Sequence, residues 1–212
     1  MKKITLLISL FCFISAIYAQ QNTDSESTKK ATEWVTSLNL EDKQKEGKLI
    51  NVISTHLTAV KEWHDSHPYT MVPEGINPKT GEKLSVIDRQ LIVDSTIPKS
   101  VSENLMSGLR ADLTESQVEA ILDKYTIGKV YFTMKAYREI LPDMPKDIED
   151  MILNHLKQAR EEAVNYKSMK EISAIFKIHK TQIELTLYQN GYNWRNIYKG
   201  YVDSLKNNKK KN

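Results

Sequence analysis

The sequence predicts an all-α protein, and three observations carry the prediction. Apolar residues recur at three- and four-residue steps along the C-terminal half. Capping-box patterns of a Ser or Thr followed three residues later by an acid or Gln open several segments. The one strand-like run, Val130-Tyr131-Phe132-Thr133, has no visible partner strand and is read as helix. The architecture expected is a single compact domain of about seven or eight helices with one long Pro/Gly-rich loop. A chain of 212 residues with 40% hydrophobic residues suffices for one core.

Residues 1–19 are read as a cleavable secretory signal. Lys2 and Lys3 form a basic start, Ile4 to Ile17 an apolar run, and Ala19 a small residue at the cut. Cys12 raises a lipoprotein anchor as a rival, but Phe11 is too bulky before it. Residues 20–27 read as a disordered polar lead, 28–205 as the helical domain and 206–212 as a basic tail. Asn39, with Glu41 and Asp42 behind it, reads as a cap opening a helix that runs to His67, where Pro68 stops it. Residues 68–84 hold Pro68, Pro73, Pro78, Gly75 and Gly81, a turn-forming loop. Ser85 with Asp88 starts the next helix, Pro98 the one after, and Thr114 with Gln117 another, through about Tyr125. Pro145 opens an amphipathic helix with Ile148, Ile152, His155, Leu156, Ala159, Ala163 and Tyr166 on one face. Ser168 with Glu171 opens a further one bearing Ile172, Ile175, Phe176, His179, Ile183 and Leu187. Asn190-Gly191 ends it before a last helix that carries Trp194, Ile197, Tyr198, Tyr201 and Leu205.

Removing the signal leaves 28 basic and 27 acidic residues and no cysteine, so thiol catalysis and disulfides are excluded. Setting aside Lys206, Lys209, Lys210 and Lys211 turns the balance to −3, so no basic face points to nucleic acid. No mature segment is long and apolar enough to span a membrane. No nucleophile elbow, phosphate loop or dinucleotide fingerprint occurs, and no cofactor is expected. Export places the mature protein in a periplasm.

The chemistry concentrates between His56 and Gly81, which holds three of the five histidines. At 100° per residue, His56, Trp63 and His67 fall within about 40° of one another, with His64 about 80° from His56. An aromatic ring among imidazoles suits a sugar site: the ring stacks on a pyranose while imidazoles bind hydroxyls or move protons. Each histidine alone has an ordinary packing role as its alternative. His155 and His179 also fall on apolar stripes, and one shared polar cavity would explain four inward histidines. His64-x-x-His67 with Glu62 or Asp65 offers a weak metal pattern that Pro68 undercuts, and no metal is assigned. Arginine is scarce, five residues against 25 lysines, which singles out Arg89 and Arg110 as carboxylate clamps. Tyr125 and Lys129 lie either side of Gly128, a point of close backbone approach.

The run Trp63-His64…His67-Pro68-Tyr69-Thr70…Pro73…Gly75-Ile76-Asn77-Pro78…Thr80-Gly81 is joined by Leu84-Ser85…Asp88-Arg89-Gln90. Two more stretches follow: Leu113-Thr114…Gln117-Val118-Glu119 and Asp123-Lys124-Tyr125-Thr126…Gly128-Lys129-Val130. Together they resemble a secreted family of Bacteroidota, long without an assigned function and associated with sugar binding, that accompanies polysaccharide-degrading enzymes. Within that neighbourhood the chain is similar to the oligosaccharide dehydratases of ulvan degradation. The resemblance implies elimination of water from a non-reducing-end uronic acid to give a 4,5-unsaturated product. It assigns no catalytic residues; those follow from the chemistry alone. His56 and His67 form the expected acid/base pair, with Tyr69 or Tyr125 as alternates. Arg89 or Arg110 neutralises the carboxylate, Trp63 stacks on the sugar and His64 assists binding. A non-catalytic glycan binder using the same surface is the alternative, and a helical chaperone-like protein a more distant one.

Overall fold

In the computed structural model, residues 25–78 and 80–209 are described, and the segment expected to be a signal (with the cut expected at Ala19), Cys12 and the tail lysines Lys210 and Lys211 lie outside them. The described residues are all-α, as expected, with nine α-helices and one 3-10 turn. In order they are α1 (25–36), α2 (Lys43–Ser66), the 3-10 turn (Tyr69–Met71), α3 (Val86–Asp94), α4 (Lys99–Asp112), α5 (Glu115–Thr126), α6 (Lys129–Ile140), α7 (Lys146–Ala163), α8 (Met169–Gln189) and α9 (Trp194–Lys209). The chain divides into two compact units, one ending at Ile121 and the other beginning at Leu122, so the division falls inside α5.

In the first unit α2 packs on α4, and α3 on the 3-10 turn. Leu49, Ile53, His56 and Val60 recur at four-, three- and four-residue steps along α2 and are all buried, the inward stripe of an amphipathic helix. Gly108 marks a tight contact of α4 with α2: a Cβ there would stand 2.8 Å from both Cγ atoms of Val52. The helix starts differ from expectation at two places. Asp42, not Asn39, caps α2, its carboxylate accepting from the Lys45 N–H at 3.0 Å. Asn39 instead takes the left-handed conformation in the preceding turn (φ 50°), a conformation Asn tolerates. Helix α1 also reaches into the stretch read as a disordered lead. Its Ala31 and Val35 are fully buried, a short stripe that the polar composition of the segment conceals.

The second unit is built on the α7–α8 pair, with α6 against α7 and α9 touching α6 and α8. Ile152, Leu156 and Ala159 on α7 and Ile172, Ile175, Phe176, Ile183 and Leu187 on α8 form its buried core. Ser168 and Glu171 close a full capping box on α8, as Ser85 and Asp88 do on α3. Arg160, from the inner face of α7, is buried and donates through Nη1 to Asp123 at 2.8 Å. The strand-like run is helix: α5 ends at Thr126, Ile127 and Gly128 make a left-handed turn (φ 53° and 62°), and α6 follows.

Candidate functional site

The C-terminal end of α2, the loop after it and the face of α3 assemble one polar cluster. The loop is a closed piece of structure. Ile76 and Lys83 form an antiparallel bridge, Asn77 N–H donates to the Glu82 carbonyl at 2.8 Å, and Leu84 N–H to the Gly75 carbonyl at 2.9 Å. Gly81 supplies the positive φ (72°) that this turn requires. Arg89 pins the loop to α3, its Nε donating to the Val72 carbonyl at 2.8 Å while its guanidinium lies 5.1 Å from the Tyr69 ring centre. Among the described residues the two Nη groups of Arg89 have no partner, so the outer edge of the fork is open to an anion.

His67 terminates α2, and its ring stacks on Trp63 with centroids 3.7 Å apart and planes 14° from parallel. Its Nδ1 lies 2.9 Å from the Trp63 carbonyl and 2.9 Å from Ser66 Oγ. The Ser66 hydroxyl donates to the Glu62 carbonyl at 2.6 Å, so towards His67 it accepts. Both neighbours of Nδ1 are therefore acceptors, which places the proton of neutral His67 there and leaves the Nε2 lone pair as the basic position. Trp63 Nε1 is buried and has no hydrogen-bond partner among the described residues.

Behind this pair runs a buried chain of polar contacts. Gln90 Nε2 donates to the His67 carbonyl at 3.1 Å and to Asp94 Oδ1 at 2.9 Å. The other oxygen of Asp94 lies 3.0 Å from His64 Nδ1. Asp94 is 1% exposed, so its charge acts in a low-dielectric setting on the half-buried His64. A buried carboxylate on one imidazole nitrogen fixes the orientation of the ring. Neither Asp94 nor Gln90 is among the site residues expected from the sequence.

The other candidates stand elsewhere. His56 is buried on α2 and lines a separate cleft of about 250 Å³ between α2 and α4, with Val52, Ala59, Val101 and Leu105 as its apolar wall. Three turns of α2, about 16 Å of helix rise, separate it from His67. The expected acid/base pair shares an angular face but not a reaction centre, because a sugar's neighbouring carbons cannot span that rise. Arg110 is exposed at the end of α4, 3.7 Å from Glu115 and outside the cleft lining. Tyr125 belongs to the second unit, where burial pushes its phenol well above the ordinary range. One face of the Trp63 indole, the ring expected to stack on a sugar, is taken by His67. The metal pattern lacks converging donors: His64 Nδ1 faces Asp94, His67 Nδ1 is bonded to its own turn, and Asp65 is held by Lys61 at 2.7 Å. The second unit pairs His155 with His179, centroids 6.4 Å apart, and His179 Nε2 lies 2.9 Å from Glu162. Burial first, and the neighbouring His179 second, lower the pKa of His155.

The family profile described as "Protein of unknown function (DUF3826)" matches residues 24–207. The chain belongs to that family. No curated protein matches it. For this DUF3826 protein the functional reading rests on the cluster itself: Trp63, His64, His67, Tyr69 and Arg89, completed by Gln90 and Asp94.

Proposed function

We propose that this is a dehydratase of uronic-acid-terminated oligosaccharides, exported by its N-terminal signal, with the Trp63–Asp94 cluster as its active centre. The reaction removes the C5 proton and the C4 hydroxyl of the terminal uronic acid, forms a C4–C5 double bond and releases one water. It is redox-neutral and needs three services. Arg89 pairs its open Nη groups with the sugar carboxylate, which acidifies the C5 proton. His67 Nε2 takes that proton. His64, oriented by Asp94 through its Nδ1, is the group placed to protonate the departing hydroxyl. This reading replaces His56 by His64 as the second imidazole, because positions three apart on a helix are neighbours. Positioned acid and base groups contribute about 10²–10⁴-fold each, and charge stabilisation by the guanidinium adds to this. The sugar rests on the outer face of the Trp63–His67 stack.

The observation that supports the reading is the linkage of an imidazole of fixed tautomer, through Gln90, to a carboxylate–imidazole pair, with a half-open guanidinium on the residue before Gln90 in α3. A glycan binder without turnover is the second reading, supported by the same stacked rings and half-open guanidinium, which would hold a sugar acid without any proton transfer. The test incubates the protein with saturated uronic-acid-terminated oligosaccharides and follows ultraviolet absorbance and product mass. Expected are a rising absorbance of the unsaturated uronate and loss of one water, both abolished in His67→Ala and reduced at least tenfold in Arg89→Lys. Binding without either change establishes the binder instead, and failure to bind removes both readings.

A further inference from the structure

The second unit carries an open groove of about 450 Å³ between α6 and α8, two helices that α7 bridges. One wall is Ile127, Lys129, Phe132 and Ala136; the other is Met169 and Lys180. Met169 to Lys180 measures about 16 Å of helix rise, so the groove is elongated. Large apolar side chains here face solvent: Phe132 is 64% exposed and Ile127 62%. Among the described residues neither lysine has a carboxylate partner, Lys129 instead standing 5.9 Å from the Phe176 ring centre.

The backbone holds this arrangement against its own preference. Ile127 is β-branched yet has φ 53°, a conformation such side chains seldom adopt. The turn is fixed by the Gly128 N–H donating to the Asp123 carbonyl at 2.9 Å, and the Phe132 ring lies over Gly128, 3.6 Å from where a Cβ would be. The result is an isoleucine kept at the mouth of the groove. The lining also discriminates between ligand classes. Thr133 is its single neutral hydrogen-bonding side chain, so a ring of sugar hydroxyls would find few partners. An apolar body with a negative head group finds both of its complements.

We propose that this groove is a binding site for a soluble single-chain anionic amphiphile, such as an alkyl carboxylate, independent of the glycan cluster on the first unit. The chain lies against Ile127, Phe132 and Met169, and the head group pairs with the free ammonium groups. Titration calorimetry on the full chain with decanoate tests this, with decanol and acetate as comparisons and vesicles of phosphatidylcholine with phosphatidylglycerol as the bilayer arm. Expected is saturable decanoate binding at one site, at least tenfold weaker for decanol and for acetate. Phe132→Ser and Lys180→Glu should each weaken decanoate at least tenfold with little change in thermal midpoint, since both side chains are exposed. Vesicle binding without decanoate binding would make the surface a bilayer contact and overturn the proposal. So would absence of decanoate binding, or affinity unchanged in both variants.

Discussion

Asp94 sets the electrostatics of the candidate site. Its carboxylate is almost fully enclosed, with one oxygen on Gln90 and the other on His64, so its charge is committed on both sides. Asp94→Asn keeps the shape and an acceptor for Gln90 but removes the charge and sets an amide N–H against His64 Nδ1. In the proposed dehydratase, turnover should fall by about 10²–10⁴-fold. Stability should fall by about 1–3 kcal/mol in urea titration, because a buried polar group loses its match. Trp63 poses the opposite case. Its indole N–H is buried with no acceptor among the described residues, so the fold gains nothing from it. Trp63→Phe removes that donor together with some packing, and the two effects offset. Stability should stay within about 1 kcal/mol of the parent, while any loss of sugar affinity reports the stacking surface alone.

At the scale of elements, the α2–α4 contact carries a sharp prediction. Gly108→Ala would ordinarily gain about 1 kcal/mol of helix propensity. Here the new methyl meets both branches of Val52 at 2.8 Å, so the variant should instead lose about 1–3 kcal/mol in denaturant titration. Adding Val52→Ala should restore most of that loss, a non-additivity that a double-mutant cycle measures. The capping boxes explain why helix starts are legible in the sequence: Ser85–Asp88, Thr114–Gln117 and Ser168–Glu171 are local chemistry, and all three bond as their spacing implies. Helix α1 is not legible, because only two of its three buried residues, Ala31 and Val35 but not Ser27, are apolar, too little periodicity to register. The site divides the same way. Trp63, His67, Tyr69 and Arg89 sit in one legible stretch, whereas Asp94 meets His64 across 30 residues that no local pattern connects. The separation of His56 from His67 is present in the sequence as helix rise; angular periodicity alone conceals distance along the axis.

For the molecule as a whole, pH reports the second unit from both sides. His155 has a lowered folded pKa, so the unfolded chain takes up its proton first as the solution is acidified. Its contribution to stability is full above the ordinary imidazole value of about 6.5 and declines as pH falls from there to the folded value. Urea midpoints should therefore drop between neutral and mildly acidic pH, and His155→Leu should flatten that slope. Tyr125 and Tyr137 have phenols raised by burial, with Glu184 adding to the effect at Tyr137. Above about pH 10 the unfolded chain sheds phenol protons that the folded one keeps, so stability falls again. Phenolate absorbance from these two should appear only together with loss of helical circular dichroism. The loop between His67 and Ser85 has a different consequence. It is stitched by its own backbone bonds and fastened to α3 mainly through Arg89, with Gln90 holding its first residue. That makes it a transplantable cassette: exchanging it among homologues with both fastenings retained should leave the helices beneath unchanged and, under the proposed function, alter which uronic oligosaccharides are bound.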